Sequence, residues 1–421
     1  MISRDLWGKI IQDYLDLKIE LIERDIKYEM PAVQRALVIT GPRRAGKTYF
    51  MFQIINKLKE NVEKERTIYL NFEDFRLTNI ELKDMNNFLN VYYSIFPENA
   101  DKTCYFFLDE VQNLPGWEKF VRFLLDKNNK VIVSGSSSKL LSKEIATELR
   151  GRSVQIRIFP FSFKEILKSK GITLKDFYST KEEAKLRKFA REYLLWGSYP
   201  ETILNPSLKE AMLKEILDLT VFRDVVERWK ATNLKALRLL LLMLAKSTHL
   251  TISKAYRNLK SLTDVGKATV ANYLEYLEDS HVFYYLKPVV KSYKKQELLG
   301  FKPYLVDNGL LTILGVEDKS RLLENLVFTE LLKKNYHNLF YYTTGKEEVD
   351  FVIKSRQRTW LIQVTYELNE DNYKRELNSL IKASEYFDSK DLLILTWDQE
   401  ELHTIDGKEV KVIPMWKWLL N

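Results

Sequence analysis

One octapeptide constrains this chain more than any other feature. It is Gly41-Pro-Arg-Arg-Ala-Gly46-Lys47-Thr48, set directly after the apolar run Leu37 to Ile39 and directly before the helical pattern Tyr49 to Lys59. A strand, a glycine-rich turn and a helix in that order make a cradle for phosphate. Glycines let the backbone wrap an anion, amide N–H groups and a helix N-terminus favour negative charge, and a lysine reaches the β- and γ-phosphates while a threonine hydroxyl ligates Mg2+. The pattern assigns Gly41, Pro42, Arg43, Arg44, Ala45, Gly46, Lys47, Thr48 and Tyr49 to ATP binding, with Lys47 catalytic and Thr48 on the metal. The side chains of Arg43 and Arg44 contact phosphate or face solvent or a partner, and the sequence leaves both open.

A second element is the run Cys104 to Leu108, which ends in Asp109-Glu110. An acid at the carboxyl end of a strand is common by itself and gains meaning beside a phosphate loop. Asp109 is expected to hold Mg2+ through water, and Glu110 to polarise the attacking water as general base. Two adjacent carboxylates serve hydrolysis rather than nucleotide holding alone, so an active ATPase is expected. Two more strand ends reach the same sheet edge. Ser136 is the first choice for sensing the γ-phosphate or orienting water, with Ser134 second, and Glu73 and Asp74 end another strand. Arg150 and Arg152 fit either a finger reaching a neighbouring subunit's nucleotide, worth ~10³–10⁵ in rate where present, or plain surface arginines.

With 421 residues the chain exceeds one hydrophobic core, and about two to four domains are expected. From Ala36 to Phe159 short β-rich runs alternate with helical patterns, the signature of a parallel sheet covered by helices. The expected boundaries are 1–160 for an N-terminal amphipathic helix and this sheet, 161–231 for a helical satellite, 232–310 for a winged helix and 311–421 for a small α/β unit. The winged helix rests on three helical patterns followed by two strands around Phe283 and Tyr304, joined by a basic tip of Lys291, Lys294 and Lys295. The last unit reads as a helix, three strands, a helix, a strand and a closing segment rich in tryptophan.

Hydrophobic residues at 45% and charged residues at 29% exclude disorder over most of the chain. The single cysteine, Cys104, cannot form an intramolecular disulfide, and His249, His281, His337 and His403 lie too far apart for local metal-ligand spacing. The N-terminus alternates charge with apolar residues and has no secretory core, and the longest greasy stretch, Leu239 to Ala245, falls well short of the ~20 residues of a span. A cytoplasmic protein with no membrane partner is expected. Few Cys, Met and His beside abundant Lys, Glu, Ile and Tyr suit a thermophile.

Gly41 to Thr48, Asn71 to Asp74, Phe106 to Glu110, Gly135 to Ser138, Leu149 to Arg152, Pro160 to Leu167, Gly197 to Glu201, Glu348 to Ile353 and Ile362 to Leu368 together resemble the archaeal and bacterial AAA-type ATPases that carry a winged helix and a C-terminal nuclease-like region. The resemblance covers nearly the whole chain. It implies an α/β fold with a P-loop AAA+-type parallel sheet, a helical lid over about Pro160 to Arg228, and ATP with Mg2+ as cofactors. It also implies a homo-oligomer, six subunits being one candidate number. In the PD-(D/E)xK nuclease pattern Glu324 and Asp350 match the first two places, but Gln363 and Thr365 stand where an acid and a lysine belong. Gln363 brings no charge for Mg2+ and Thr365 no cation, so this unit reads as catalytically silent unless Lys354 or Glu367 compensates.

The net charge of +8 suits nucleic acid without requiring it. In the pattern Gly266 to Ser280, Val270, Leu274 and Leu277 form a buried stripe and leave Lys267, Thr269, Asn272 and Tyr273 outward on a candidate recognition helix. Lys291, Lys294 and Lys295 would then contact phosphate. Glu275, Glu278 and Asp279 on the same helix oppose that reading and favour a protein partner. DNA, a DNA-processing protein, or both are the expected partners. Two functions follow: an ATPase that remodels or translocates DNA or a DNA-bound protein, and a nucleotide-gated signalling or scaffold module with slow hydrolysis.

Overall fold

The computed structural model describes residues 2–135, 149–290, 292–336 and 338–421. The chain folds as two compact units, Met1–Phe159 and Pro160–Asn421. In the first, β1 (Ala36–Thr40), β2 (Thr67–Asn71), β3 (Tyr105–Asp109), β4 (Lys130–Ser134) and β5 (Ser153–Arg157) build one sheet in the order β2-β3-β4-β1-β5. Every neighbouring pair is parallel. Side chains alternate across each strand, so Leu37, Ile39, Phe107 and Ile132 face Phe50, Met51, Ile54 and Ile55 of helix Lys47–Leu58. Val38, Phe106, Leu108, Val131 and Val133 take the other face and join a core with helices Leu82–Ile95 and Trp117–Asp126. Burial on both faces explains why these strands read as continuous apolar runs.

Helix Arg4–Asp16 turns Trp7, Ile10, Ile11 and Tyr14 inward, and the Trp7 ring lies 5.0 Å from Phe88. Residues 17–35 then run without helix or strand. They are not loose chain, because Ile19, Leu21, Ile26, Tyr28 and Met30 pack on the same face as Phe50, and Tyr28 meets the Phe50 ring edge-on at 5.7 Å.

The second unit opens with helices Phe163–Ser169 and Thr180–Trp196, each started by a reciprocal serine–glutamate cap, Ser162 with Glu165 and Ser179 with Glu182. Helices Lys209–Leu219, Leu234–Lys246, Ile252–Lys260 and Lys267–Asp279 follow. Then β6 (Phe283–Leu286) pairs antiparallel with β7 (Lys302–Leu305). The expected basic tip between these strands takes a different form. Lys294 and Lys295 lie on a short helix, Tyr293–Leu299, because the Ser292 hydroxyl accepts the Lys295 N–H and caps it. Lys291 lies outside the described residues.

The chain closes with β8 (Leu339–Thr343), β9 (Glu348–Lys354), β10 (Thr359–Val364), β11 (Asp391–Thr396), β12 (Glu401–Ile405) and β13 (Lys408–Pro414). They form a mixed sheet in the order β12-β13-β11-β10-β9-β8. Helix Glu370–Phe387 covers it, burying Leu377, Leu380 and Ile381 against Val352, Leu361, Ile394 and Val412. Where the sequence reading has only a tryptophan-rich closing segment, the structure has the hairpin β12–β13, turned by Asp406 and Gly407 at φ 50° and 74°. An Asp-Gly pair with both φ positive matches strand twist, which is the signal that reading passed over. Among the described residues no helix is long and apolar enough to cross a membrane.

Candidate active site

The phosphate loop joins β1 to helix Lys47–Leu58 at the carboxyl edge of the first sheet. Its two glycines are required by geometry. Gly41 has φ 143°, and a side-chain carbon there would lie 2.0 Å from the Ile158 carbonyl oxygen. Gly46 has φ 95° and begins the helix in a left-handed conformation that costs a residue with a side chain roughly 1 kcal/mol or more. Lys47 is buried, and its ammonium donates to the carbonyl oxygens of Gly41 at 3.1 Å and Pro42 at 3.0 Å. Arg43 and Arg44 are half-buried and Tyr49 is exposed.

The strand order brings the acids to this loop. With β4 between β1 and β3, Ser134 stands level with Ile39, and Asp109 ends β3 beside it. Asp109 is buried and its carboxylate collects three hydroxyls: Thr48 at 2.8 Å, Tyr69 at 2.8 Å and Ser134 in a short contact. Burial pushes the Asp109 carboxyl above its usual range, with Glu110 adding to the rise and the hydroxyl donors opposing it. The hydroxyl of Thr48 and the carboxylate of Asp109 are hard oxygen donors already in contact, a donor set that fits Mg2+.

Glu110 follows in left-handed backbone, φ 52° and ψ 46°, a conformation that non-glycine residues adopt mainly where the surroundings impose it. Its N–H donates to Ser134 Oγ at 3.3 Å, and its carboxylate accepts from the Gln112 amide. Ser134, the second choice from sequence, is thus a hub between Asp109 and Glu110, and Ser136 lies outside the described residues. Glu73 is exposed, while Asp74 accepts from Arg76 at 2.7 Å. Arg150 is exposed, and Arg152 pairs with Asp126 of its own chain at 2.6 Å.

Two participants carry no sequence signal. Tyr69 sits on β2, opposite Phe107, and reaches Asp109 across the strand pair. Arg24 lies in the segment without secondary structure. Gln53 on the loop's own helix pins the Arg24 backbone, accepting its N–H at 2.7 Å and donating to its carbonyl at 3.0 Å. The buried Arg24 guanidinium donates to the carbonyl oxygens of Ala45 at 3.0 Å and Phe159 at 2.7 Å. A strap residue far upstream therefore braces the back of the phosphate loop.

In the second unit Lys267 and Asn272 are exposed on helix Lys267–Asp279, as are Lys294 and Lys295 on theirs. Tyr273, expected outward, is buried, because its hydroxyl accepts the Asn233 N–H at 3.1 Å. Glu324 and Asp350 come together in the C-terminal region. Gln363 is buried with its amide on Glu376, Lys354 stands 4.9 Å from the Phe387 ring centre, and Glu367 is exposed.

Comparison with known proteins agrees with the first unit and extends to the whole chain. A model described as an AAA domain matches residues 33–167. Two models described as domains of unknown function match residues 187–320 and 319–418. An uncharacterized protein of Methanocaldococcus jannaschii is 40% identical, across 99% of this chain and 95% of its own length. An uncharacterized protein of Haemophilus influenzae is 31% identical, across 91% of this chain and 94% of its own. Among solved structures, the Walker-type ATPase of Pyrococcus abyssi is 15% identical, covering 75% of this chain and 96% of that one with a TM-score of 0.43. AMPPCP-bound DnaA from Aquifex aeolicus is 14% identical, covering 77% and 87%, with a TM-score of 0.28. The phosphate loop, the sheet that carries it and the AAA match make the first unit an AAA-type P-loop ATPase domain, and over nearly its full length the chain belongs to one family with the Methanocaldococcus jannaschii protein.

Proposed function

We propose that this chain is a Mg2+-dependent ATPase whose hydrolysis cycle works on DNA or a DNA-bound protein, within a homo-oligomer. The observation that carries the catalytic part is the Thr48–Asp109–Ser134 contact directly beside Lys47 and Glu110. Gly41 to Thr48 hold the phosphates, Lys47 leaves the Gly41 and Pro42 carbonyls to neutralise the β- and γ-phosphates, and Thr48 with Asp109 holds Mg2+. The bound ion supplies charge neutralisation on the phosphate oxygens. Glu110 takes the proton of the attacking water, and Ser134 fixes both acids in place through its two hydrogen bonds. Residues 161–231 serve as lid, and Arg150 or Arg152 reaches a neighbouring subunit.

Exposed Lys267, Asn272, Lys294 and Lys295 support a DNA surface on the second unit. A second reading, a nucleotide-gated scaffold with slow hydrolysis, is favoured by one contact: the Gln112 amide donates to one oxygen of the Glu110 carboxylate and so weakens it as a base.

Steady-state phosphate release with and without duplex DNA separates the two. The ATPase reading expects turnover that rises with DNA, disappears in Lys47→Ala and keeps its basal value but loses the DNA response in the Lys294→Glu, Lys295→Glu double variant. The DNA dependence should also weaken steeply with salt. Tight nucleotide retention with negligible turnover, unchanged by DNA, would establish the scaffold instead.

A further inference from the structure

The buried acids of the C-terminal region converge on a lysine from another part of the second unit. Lys302, on β7, is 2% exposed. Its ammonium lies 2.7 Å from Asp350 Oδ1, 2.6 Å from Glu348 Oε1 and 3.2 Å from Glu324 Oε1. Tyr304, two residues on and on the same face of β7, donates to Glu324 at 2.6 Å. The remaining Asp350 oxygen accepts the Val364 N–H at 2.9 Å, and the Asp350 N–H goes to the Gln363 side chain.

A nuclease-like site of this kind implies Mg2+, and the residues present do not fit it. The three carboxylate oxygens gather 2.6–3.2 Å around one nitrogen, the spacing of ammonium–carboxylate contacts, so the place a shared cation would take between them is filled by Lys302. The ammonium donates to Glu324 and Asp350, and the half-exposed Glu348 carboxylate adds a third ion pair. Burial alone would depress the Lys302 amine, but Asp350 and Glu324 outweigh it and hold Lys302 well above its usual range, so it remains charged. Burial likewise opposes ionisation of Glu324, yet Lys302 and Arg321 pull it below the ordinary carboxylate range. Gln363, where the pattern has an acid, is neutral and spends its amide on Glu376 and the Glu348 carbonyl. A cavity of about 300 Å³ adjoins the cluster, lined by Glu348, Asp350, Gln363, Arg375 and Glu376.

We propose that Lys302 is the resident cation of this site, taking the place of a divalent ion and locking the β6–β7 pair to the C-terminal sheet. The site is then closed to Mg2+ by an internal ammonium, and the acids are retained as its partners. Breaking a buried pair from one side strands the other charge, whereas removing both sides is far milder.

Two measurements on the full chain test this. Calorimetric titration of nucleotide-free protein with Mn2+ should give the same number of bound ions for the wild type and for Asp350→Asn. An ion that binds the wild type and is lost in Asp350→Asn would overturn the proposal. In thermal unfolding, Lys302→Met should lower Tm by about 10 °C, and adding Asp350→Asn to that variant should restore roughly half of the loss. Losses that simply add would overturn the lock. If Lys302→Met does not fold, the Mn2+ comparison, which does not need it, decides alone.

Discussion

Asp109 concentrates the residue-scale chemistry. Its carboxylate is buried among three hydroxyls, and burial raises its pKa. A carboxyl raised on folding contributes stability that is fully present below its unfolded pKa and is lost as pH rises through its folded pKa. Above that folded pKa the nucleotide-free protein therefore carries a buried charge at a cost. Asp109→Asn removes that charge and should raise Tm at pH 8 by roughly 2–4 °C, about 1 kcal/mol. The gain should shrink as pH falls through the raised folded pKa of Asp109, and hydrolysis should be lost at every pH. A calorimetric Tm series across that range checks it; a gain independent of pH would assign the effect to packing. Asp109 was legible because it ends an apolar strand. Tyr69 was not, because a tyrosine inside a strand looks like any core aromatic until the neighbouring strand is known.

Among the described elements, β1 to β4 and the first helix turn up in the sequence by their pattern, while the alternating strand β13 with its hairpin partner and the strap over residues 17–35 were missed. Strands β1 to β4 announce themselves as apolar runs, and helix Arg4–Asp16 by its stripe of Trp7, Ile10, Ile11 and Tyr14. The sequence reading carries the N-terminal amphipathic helix on to Asp25, whereas the helix ends at Asp16 and residues 17–35 form neither helix nor strand, so the contact of Arg24 with the phosphate loop was invisible. Its function is readable only from its bonds. Arg24→Met leaves the buried carbonyls of Ala45 and Phe159 short of a donor, each loss costing about 1–3 kcal/mol. The phosphate loop, no longer braced, should bind ATP roughly tenfold more weakly for each ~1.4 kcal/mol of lost preorganisation. Turnover measured against ATP concentration should show KM rising more than kcat falls, with Arg24→Lys intermediate. An unchanged KM would make the strap a purely structural brace. The Lys294–Lys295 segment shows the opposite error: the basic composition was legible, but its helical form depended on the Ser292 cap.

For the whole molecule, the sequence divides the chain by changes of pattern, while contacts gather it into two compact units. Lys302 illustrates the gap. In sequence it belongs with the strand pair after the third helical pattern, and only the fold shows its charge to be spent on Glu324, Glu348 and Asp350. Long-range pairing of that kind leaves no spacing to detect. The phosphate loop, in contrast, is local in sequence, and its chemistry transfers directly to the structure. The account therefore rests on the first unit cleaving what it binds, with Glu110 as base. Single-turnover cleavage of bound ATP by the wild type and by Glu110→Gln measures this directly. The account predicts equal ATP affinity and a cleavage rate lower by ~10²–10⁴ in the variant, the usual worth of a positioned base. Equal cleavage rates, or loss of ATP binding in Glu110→Gln, would contradict it.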